Sequence, residues 1–255
     1  MENKLGMQET NKLVSIIIAT YNSEKYIREC LSSILSLGVN TIEVVIVDGG
    51  STDQTIDIVK SFDSRMVSWK SSPDKGIYDA LNKGVERARG KWLYFMGADD
   101  RLLPGFAEMM QYLKDEHTVY YGNTTEFFEK EGPQYLLLKG EFNNYRLAKF
   151  CMNHQTILYP ANVFKKYHYN LRYKVYADYA LNIQVWGDKT FTKIHLPITI
   201  ARYNMDGFSS LTKDKDFVFQ QEKFQLVKRS MGWLIYLRLL SRKYKYQLRG
   251  KNWEQ

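Results

Sequence analysis

Residues 14–21 read VSIIIATY, a nearly unbroken run of apolar, mostly β-branched side chains. Such a run suits a strand buried on both faces, as in a parallel sheet. Asn22 and Ser23 then offer cap chemistry. Ile27, Leu31, Ile34 and Leu35 recur at helical spacing until Gly38 closes the helix. Residues 43–48 (EVVIVD) form a second buried strand, and Ser51 and Thr52 can cap a helix whose inner face holds Ile56 and Val59. A third strand is expected over residues 66–70. Ile77, Leu81, Val85 and Ala88 mark a third helix ending at Gly90, and residues 91–97 (KWLYFMG) form a fourth strand. Strand and helix in alternation predict an α/β fold with a parallel, right-handed βα sheet.

After Leu103 the pattern changes. Residues 106–113 read as a helix. Residues 118–128 and 135–139 flank Glu131-Gly132-Pro133 as strand, turn and strand. Residues 154–159 read as a short strand, 176–186 as helix and 190–203 as extended chain. The second half is therefore α+β and less regular.

The chain has 255 residues, enough for one large α/β domain or two small ones. No stretch approaches the roughly 20 apolar residues of a spanning helix. Residues 1–12 are polar and lack the apolar core of a secretory signal. Cys30 and Cys151 are far apart with no CxxC, so neither a disulfide framework nor a zinc site is indicated. A cytoplasmic location is expected. The formal net charge is +8, but residues 228–255 hold eight Lys or Arg against Glu254 alone. That tail carries about +7, so the body is nearly neutral and no nucleic-acid partner is expected of it.

In an open parallel sheet, ligands bind outside the carboxyl ends of the strands. The first strand delivers Thr20-Tyr21-Asn22 there and the second Asp48-Gly49-Gly50-Ser51. The third leads to Asp74-Lys75-Gly76 and the fourth to Gly97-Ala98-Asp99-Asp100. Four polar or glycine-containing clusters on one edge point to a site. Adjacent carboxylates after a buried strand repel each other, and a hard divalent cation offsets that, Mg²⁺ using one or two carboxylates plus phosphate oxygens. The alternative for Asp99-Asp100 is a polar loop capping a helix before Pro104. Asp48 suits a base or ribose edge, or the cap of a turn. Gly49 lets backbone approach a ligand closely or makes a tight turn. Lys75 suits phosphate or plain solvation. No GxGxxG follows the first strand, and neither a P-loop nor a GxSxG elbow is present.

These residues in this order resemble glycosyltransferase family 2, which has the GT-A fold. The resemblance runs through VSIIIATYNSEKYI, VVIVDGGSTDQT, SSPDKGIYDALNKG and ARGKWLYFMGADD, and more weakly to about Ser210. It implies a Rossmann-like, mostly parallel sheet with an α+β acceptor half and a C-terminal helical extension. Residues 1–215 would form the single GT-A domain, with 12–103 the nucleotide-binding half and 104–215 the acceptor half. Residues 216–255 would be the basic extension. By resemblance Thr20, Tyr21, Asn22, Glu24, Asp48, Gly49, Ser51 and Lys75 hold the donor, with Asp48 on the base. Asp99 faces the ribose and Asp100 binds Mg²⁺ or Mn²⁺ on the diphosphate. The family's base is a carboxylate near a helix start in the second half, often in a Glu-Asp pair. Ala177 stands where that Glu is expected, which leaves Asp178 as the candidate base. His154, beside Gln155, is a candidate diphosphate, metal or acceptor contact, or a structural histidine. Residues 206–209 (DGFS) look like a loop able to close over the donor.

The resemblance implies inverting transfer from a nucleotide sugar, expected to be UDP-linked, to a saccharide or lipid-linked acceptor, in bacterial cell-surface polysaccharide synthesis such as capsule or lipopolysaccharide. A nucleotidyltransferase would show a Gly-rich loop with Arg where ATYNSEKY stands. A non-catalytic nucleotide-sugar-binding subunit is favoured by Ala177 alone. In the tail, residues 231–240 (MGWLIYLRLL) are apolar and residues 241–251 are rich in Lys, Arg and Tyr. With Trp233, Tyr236, Tyr244 and Tyr246 they suggest peripheral contact of residues 228–251 with anionic lipid on the inner face of the plasma membrane. The alternative is a helix packed on the domain or on a second subunit of a homodimer.

Overall fold

The computed structural model describes residues 2–3, 11–62, 65–128, 132–134, 140–205 and 216–250. The strands are β1 (Glu2–Asn3), β2 (Val14–Thr20), β3 (Ile42–Asp48), β4 (Val67–Ser71), β5 (Trp92–Gly97), β6 (Arg101–Leu102), β7 (Thr118–Phe128), β8 (Gly132–Gln134), β9 (Ile157–Pro160) and β10 (Thr192–Asn204). The helices are α1 (Ile27–Leu35), α2 (Thr55–Lys60), α3 (Ile77–Arg87), α4 (Gly105–Met110), α5 (Asn144–Lys149), α6 (Ala177–Gly187), α7 (Phe217–Met231) and α8 (Trp233–Leu248). The strands form one sheet in the order β1-β4-β3-β2-β5-β9-β7-β10-β6, with β8 on β7.

The expected parallel block is present, since β2 pairs in parallel with β3 and β5, and β3 with β4. β9 is antiparallel to both β5 and β7, and β10 runs parallel to β7. The six longer strands β2, β3, β4, β5, β7 and β10 therefore run one way. Strand order reverses at β2, which lies between β3 and β5, and that is the switch point where a crevice opens at the carboxyl ends.

Both faces of the parallel block are buried. Ile17, Val45, Leu93 and Phe95 face one apolar cluster, and Ile16, Ile18, Val44, Ile46 and Tyr94 the other. Alternation along each strand thus serves two cores, which is why these strands carry no polar face. At the edge away from the crevice, Ser15 Oγ donates to Glu43 Oε1 (2.6 Å), and the Arg89 guanidinium pairs with Glu43 Oε2 (2.8 Å).

Several local expectations are corrected. Asn22-Ser23 and Ser51-Thr52 do not cap α1 and α2. Tyr26 and Gln54 stand at those N-caps without a side-chain bond. Gly132 and Pro133 lie in β8, paired antiparallel to β7, rather than in a turn. Residues 135–139, expected as a strand, and 206–209, expected as a loop, fall outside the described residues. His154–Thr156 is a 3₁₀ turn and the strand starts only at Ile157, because Asn153 Oδ1 accepts the Gln155 N–H and bends the chain.

Candidate active site

The loops after β2 and β3 are stitched together. Asn22 N–H donates to Ser51 Oγ (2.8 Å), and Thr52 N–H donates to Asn22 Oδ1 (2.9 Å). Glu24 N–H donates to Asp53 Oδ2 (3.1 Å), and Gln54 N–H to Glu24 Oε2 (2.9 Å). Asn22 takes φ 47° to make this turn, a conformation that asparagine tolerates better than most residues. Thr20, Tyr21, Asn22, Glu24, Asp48, Gly49 and Ser51 are thus gathered in one corner.

Their side chains divide sharply. Asp48 is fully buried. Its Oδ2 accepts from Gly50 N–H (3.0 Å), Ser51 N–H (2.9 Å) and Ser71 Oγ (2.6 Å), and its Oδ1 from Ser51 Oγ (2.5 Å). Four donors on two oxygens hold the loop in shape. Tyr21, by contrast, is 62% exposed. Thr20 is buried, and its Oγ1 has no hydrogen-bond partner among the described residues. An orphaned hydroxyl at the switch point is the kind of group a ligand satisfies.

Asp74, after β4, closes the same corner. A Cβ at Gly49 would lie 2.8 Å from Asp74 Oδ2 and 3.4 Å from Tyr21 Cδ2. Glycine is therefore required for Asp74 and the Tyr21 ring to approach the loop backbone. Asp74 Oδ1 accepts the Gly76 N–H (2.7 Å), and Lys75 is exposed beside it at the start of α3.

After β5 the chain turns on Gly97. A Cβ there would meet Asp99 Oδ1 at 2.6 Å and Asp100 Oδ2 at 3.1 Å. Asp100 is 1% exposed, and Asp99 is half-buried. Asp100 Oδ2 accepts from Gly97 N–H (2.8 Å) and Gln155 Nε2 (2.7 Å), and Oδ1 from Asn204 N–H (3.1 Å). Those donors are neutral. Burial, then the neighbouring Asp99 charge, push the Asp100 carboxyl up to about 7.

Gln155 and His154 are adjacent, and they face two different acids. His154 Nδ1 lies 2.9 Å from Asp178 Oδ2. Asp178 is the second residue of α6, and its Oδ1 accepts the Tyr179 N–H (2.7 Å) and lies 3.1 Å from Tyr78 OH on α3. The start of a helix favours its negative charge. Ala177 packs into the core. The 3₁₀ turn thus ties the acidic pair of β5 to the acid of α6. Asp216 adds a support that carries no signal in the sequence. Its Oδ2 accepts the Val175 and Tyr176 N–H groups (2.8 and 2.9 Å) just before Asp178. Its Oδ1 caps α7 through the Phe219 N–H (3.3 Å).

Comparison with known proteins bears on the fold and the family. A "PGL/p-HBAD biosynthesis glycosyltransferase" of Mycobacterium tuberculosis is 34% identical over 221 residues, covering 81% of this chain and 82% of its own. A crystal structure of Staphylococcus aureus TarS 1-349 in complex with UDP-GlcNAc superposes with a TM-score of 0.66 at 20% identity, over 94% of this chain and 76% of that one. TarS 1-349 in complex with UDP gives the same TM-score, covering 91% and 72%. The fold is therefore the GT-A-like one. The family described as Glycosyl transferase family 2 matches residues 15–172, and with the relative's identity and coverage this shows that the chain belongs to that family.

Proposed function

We propose that the chain is an inverting glycosyltransferase that moves a sugar from a UDP-linked donor to a saccharide or lipid-linked acceptor of a cell-surface glycan. The observation that carries this reading is the pairing of His154 with Asp178 next to the pairing of Gln155 with Asp100. One short turn thereby bridges the two acids that this reading takes as base and diphosphate site. The UDP and UDP-GlcNAc named for the TarS complexes support the choice of donor.

In this reading the nucleoside base stacks on the exposed Tyr21 ring. Asp74, rather than the sealed Asp48, accepts a hydrogen bond from the imide N–H of uracil. Thr20 Oγ1 and the Gly49 backbone complete the pocket, and Lys75 lies near the diphosphate. A hard cation fits Asp99 and Asp100. Among the described residues no group of three or more His, Cys, Asp or Glu side chains is placed to hold a metal ion, but Mg²⁺ or Mn²⁺ on a diphosphate needs only one or two carboxylates. The raised Asp100, with neutral donors alone on its oxygens, marks a corner that favours positive charge. Asp99 is the accessible ligand of the two, and Asp100 stands behind it. Such a cation, when bound, would neutralise charge on the leaving diphosphate.

The chain's own groups supply the rest. Asp178 takes the proton of the acceptor hydroxyl as that oxygen bonds to the anomeric carbon. The bond from that carbon to the diphosphate breaks on the opposite side, and its electron pair leaves with the nucleoside diphosphate. His154 and the Tyr179 N–H hold the Asp178 carboxylate in place. The test is UDP release from a panel of UDP-sugars with Mn²⁺, with and without acceptor. Asp178→Asn is expected to lower kcat by about 10²–10⁴ with the donor KM unchanged. Wild-type turnover in that variant would remove Asp178 from the base role.

A further inference from the structure

The last helix leaves one face uncovered. Leu239 on α8 is fully buried, and Ile235 packs beside it on the main core. On the opposite side Trp233, Leu234, Leu237, Tyr244 and Leu248 are all exposed, the three leucines by 80, 52 and 70%. At about 100° per residue these five fall within a stripe roughly 100° wide. Arg238, Lys245 and Arg249 lie along one flank of the stripe. From Trp233 to Leu248 there are four cations and no acid.

A second observation points to an anionic partner. The Arg238 guanidinium lies 4.2 Å over the Tyr145 ring of α5, and that of Arg242 lies 5.8 Å over the Phe150 ring. These contacts bring both arginines beside Lys149 and Arg146. Burial, then the charges of Arg242, Arg146 and Arg238, hold the Lys149 ammonium below its usual range. Among the described residues, Lys149, Arg238 and Arg242 make no ion pair with an acid. The fold thus gathers like charges beside exposed leucines, with Lys149, Arg238 and Arg242 lacking an acid partner among the described residues.

We propose that α8 docks in the interface of an anionic lipid bilayer, with the Trp233–Leu248 stripe among the acyl chains and the basic flank among the headgroups. No helix of the described residues is long and apolar enough to cross a membrane, so the contact is lateral. A nucleic acid would answer the charges but leave the leucines in water. A second copy would cover the leucines but bring two basic clusters together. Lipid binding does not depend on the chemistry proposed above, because it is read without turnover.

The test is flotation of the whole chain with phosphatidylcholine vesicles, with and without added phosphatidylglycerol, at low salt. Binding is expected only with phosphatidylglycerol. The double variant Lys245→Glu, Arg249→Glu should weaken it by more than about fivefold per position, since each interfacial cation contributes about fivefold. Leu234→Glu with Leu237→Glu should abolish it while the circular dichroism stays native, because both side chains are exposed. Absence of binding to phosphatidylglycerol vesicles would overturn the proposal. So would binding that survives the leucine variant, or a dimer in sedimentation that is lost with Leu237→Glu while vesicles are ignored.

Discussion

Asp100 gives the sharpest physical prediction. Its carboxyl is buried, held only by neutral donors and pushed up to about 7, against 3.8 for an ordinary aspartate. Between those values the folded chain keeps a proton that the unfolded chain has lost. Stability therefore falls as pH rises through that window and levels off above about 7. At about 1.4 kcal/mol per pH unit, the loss is on the order of 4 kcal/mol. Asp100→Asn has no proton to lose. Its amide oxygen can still accept from Gly97 and Gln155, but its NH₂ then meets the Asn204 N–H, at a cost of about 1–3 kcal/mol. The variant should be the weaker protein near about pH 5, and that deficit should vanish or reverse near about pH 8. Urea unfolding in EDTA across this range, followed by the fluorescence of the buried Trp92 and Trp186, measures the difference. Mn²⁺ should stabilise the wild type more at the alkaline end, because a nearby cation draws the proton off. A wild-type-minus-variant difference that is flat in pH would refute the buried-charge reasoning.

Further outcomes follow from the same geometry. Tyr21→Ala removes the exposed ring and should raise the donor KM by about 5- to 100-fold through lost base stacking, with kcat little changed. Asp74→Asn should erode discrimination between uridine and cytidine donors, seen as a change in the ratio of their inhibition constants as free diphosphates. His154→Ala leaves Asp178 Oδ2 without its partner. It should lower kcat, while donor binding measured by calorimetry is unchanged. Asp216→Ala strands two N–H groups ahead of α6 and should cost about 1–3 kcal/mol for each one left buried. Its kcat should fall with the melting temperature, and Asp216→Asn should recover part of both.

The parallel block was legible because its physics is local. Unbroken apolar strands such as VSIIIAT and EVVIVD need two buried faces, and Ile27, Leu31 and Ile34 at helical spacing need one. The gathering of four strand ends followed from topology alone. What each end does with its side chain did not follow, because the same residue type serves both outcomes. A carboxylate two and three positions before free N–H groups, as Asp48 is to Gly50 and Ser51, folds back on its own loop. That signal is readable in DGGS, and it competes with the reading of Asp48 as a ligand. Asp74 carries no such distinction in sequence. It becomes a pocket wall only because Gly49, in the loop after another strand, has no Cβ to exclude it. His154 and Asp178 are 24 residues apart, and Asp216 lies 40 and 41 residues from the two N–H groups it holds ahead of α6. Neither pairing leaves a periodic trace, since each depends on where the irregular second half returns to the sheet. Asp99 and Asp100 are the limiting case. They are chemically identical neighbours, yet one is half-buried and the other sealed behind Gln155 and Asn204. Which of two adjacent acids meets a ligand is set by the elements that cover them, and those elements lie more than 50 residues farther along the chain.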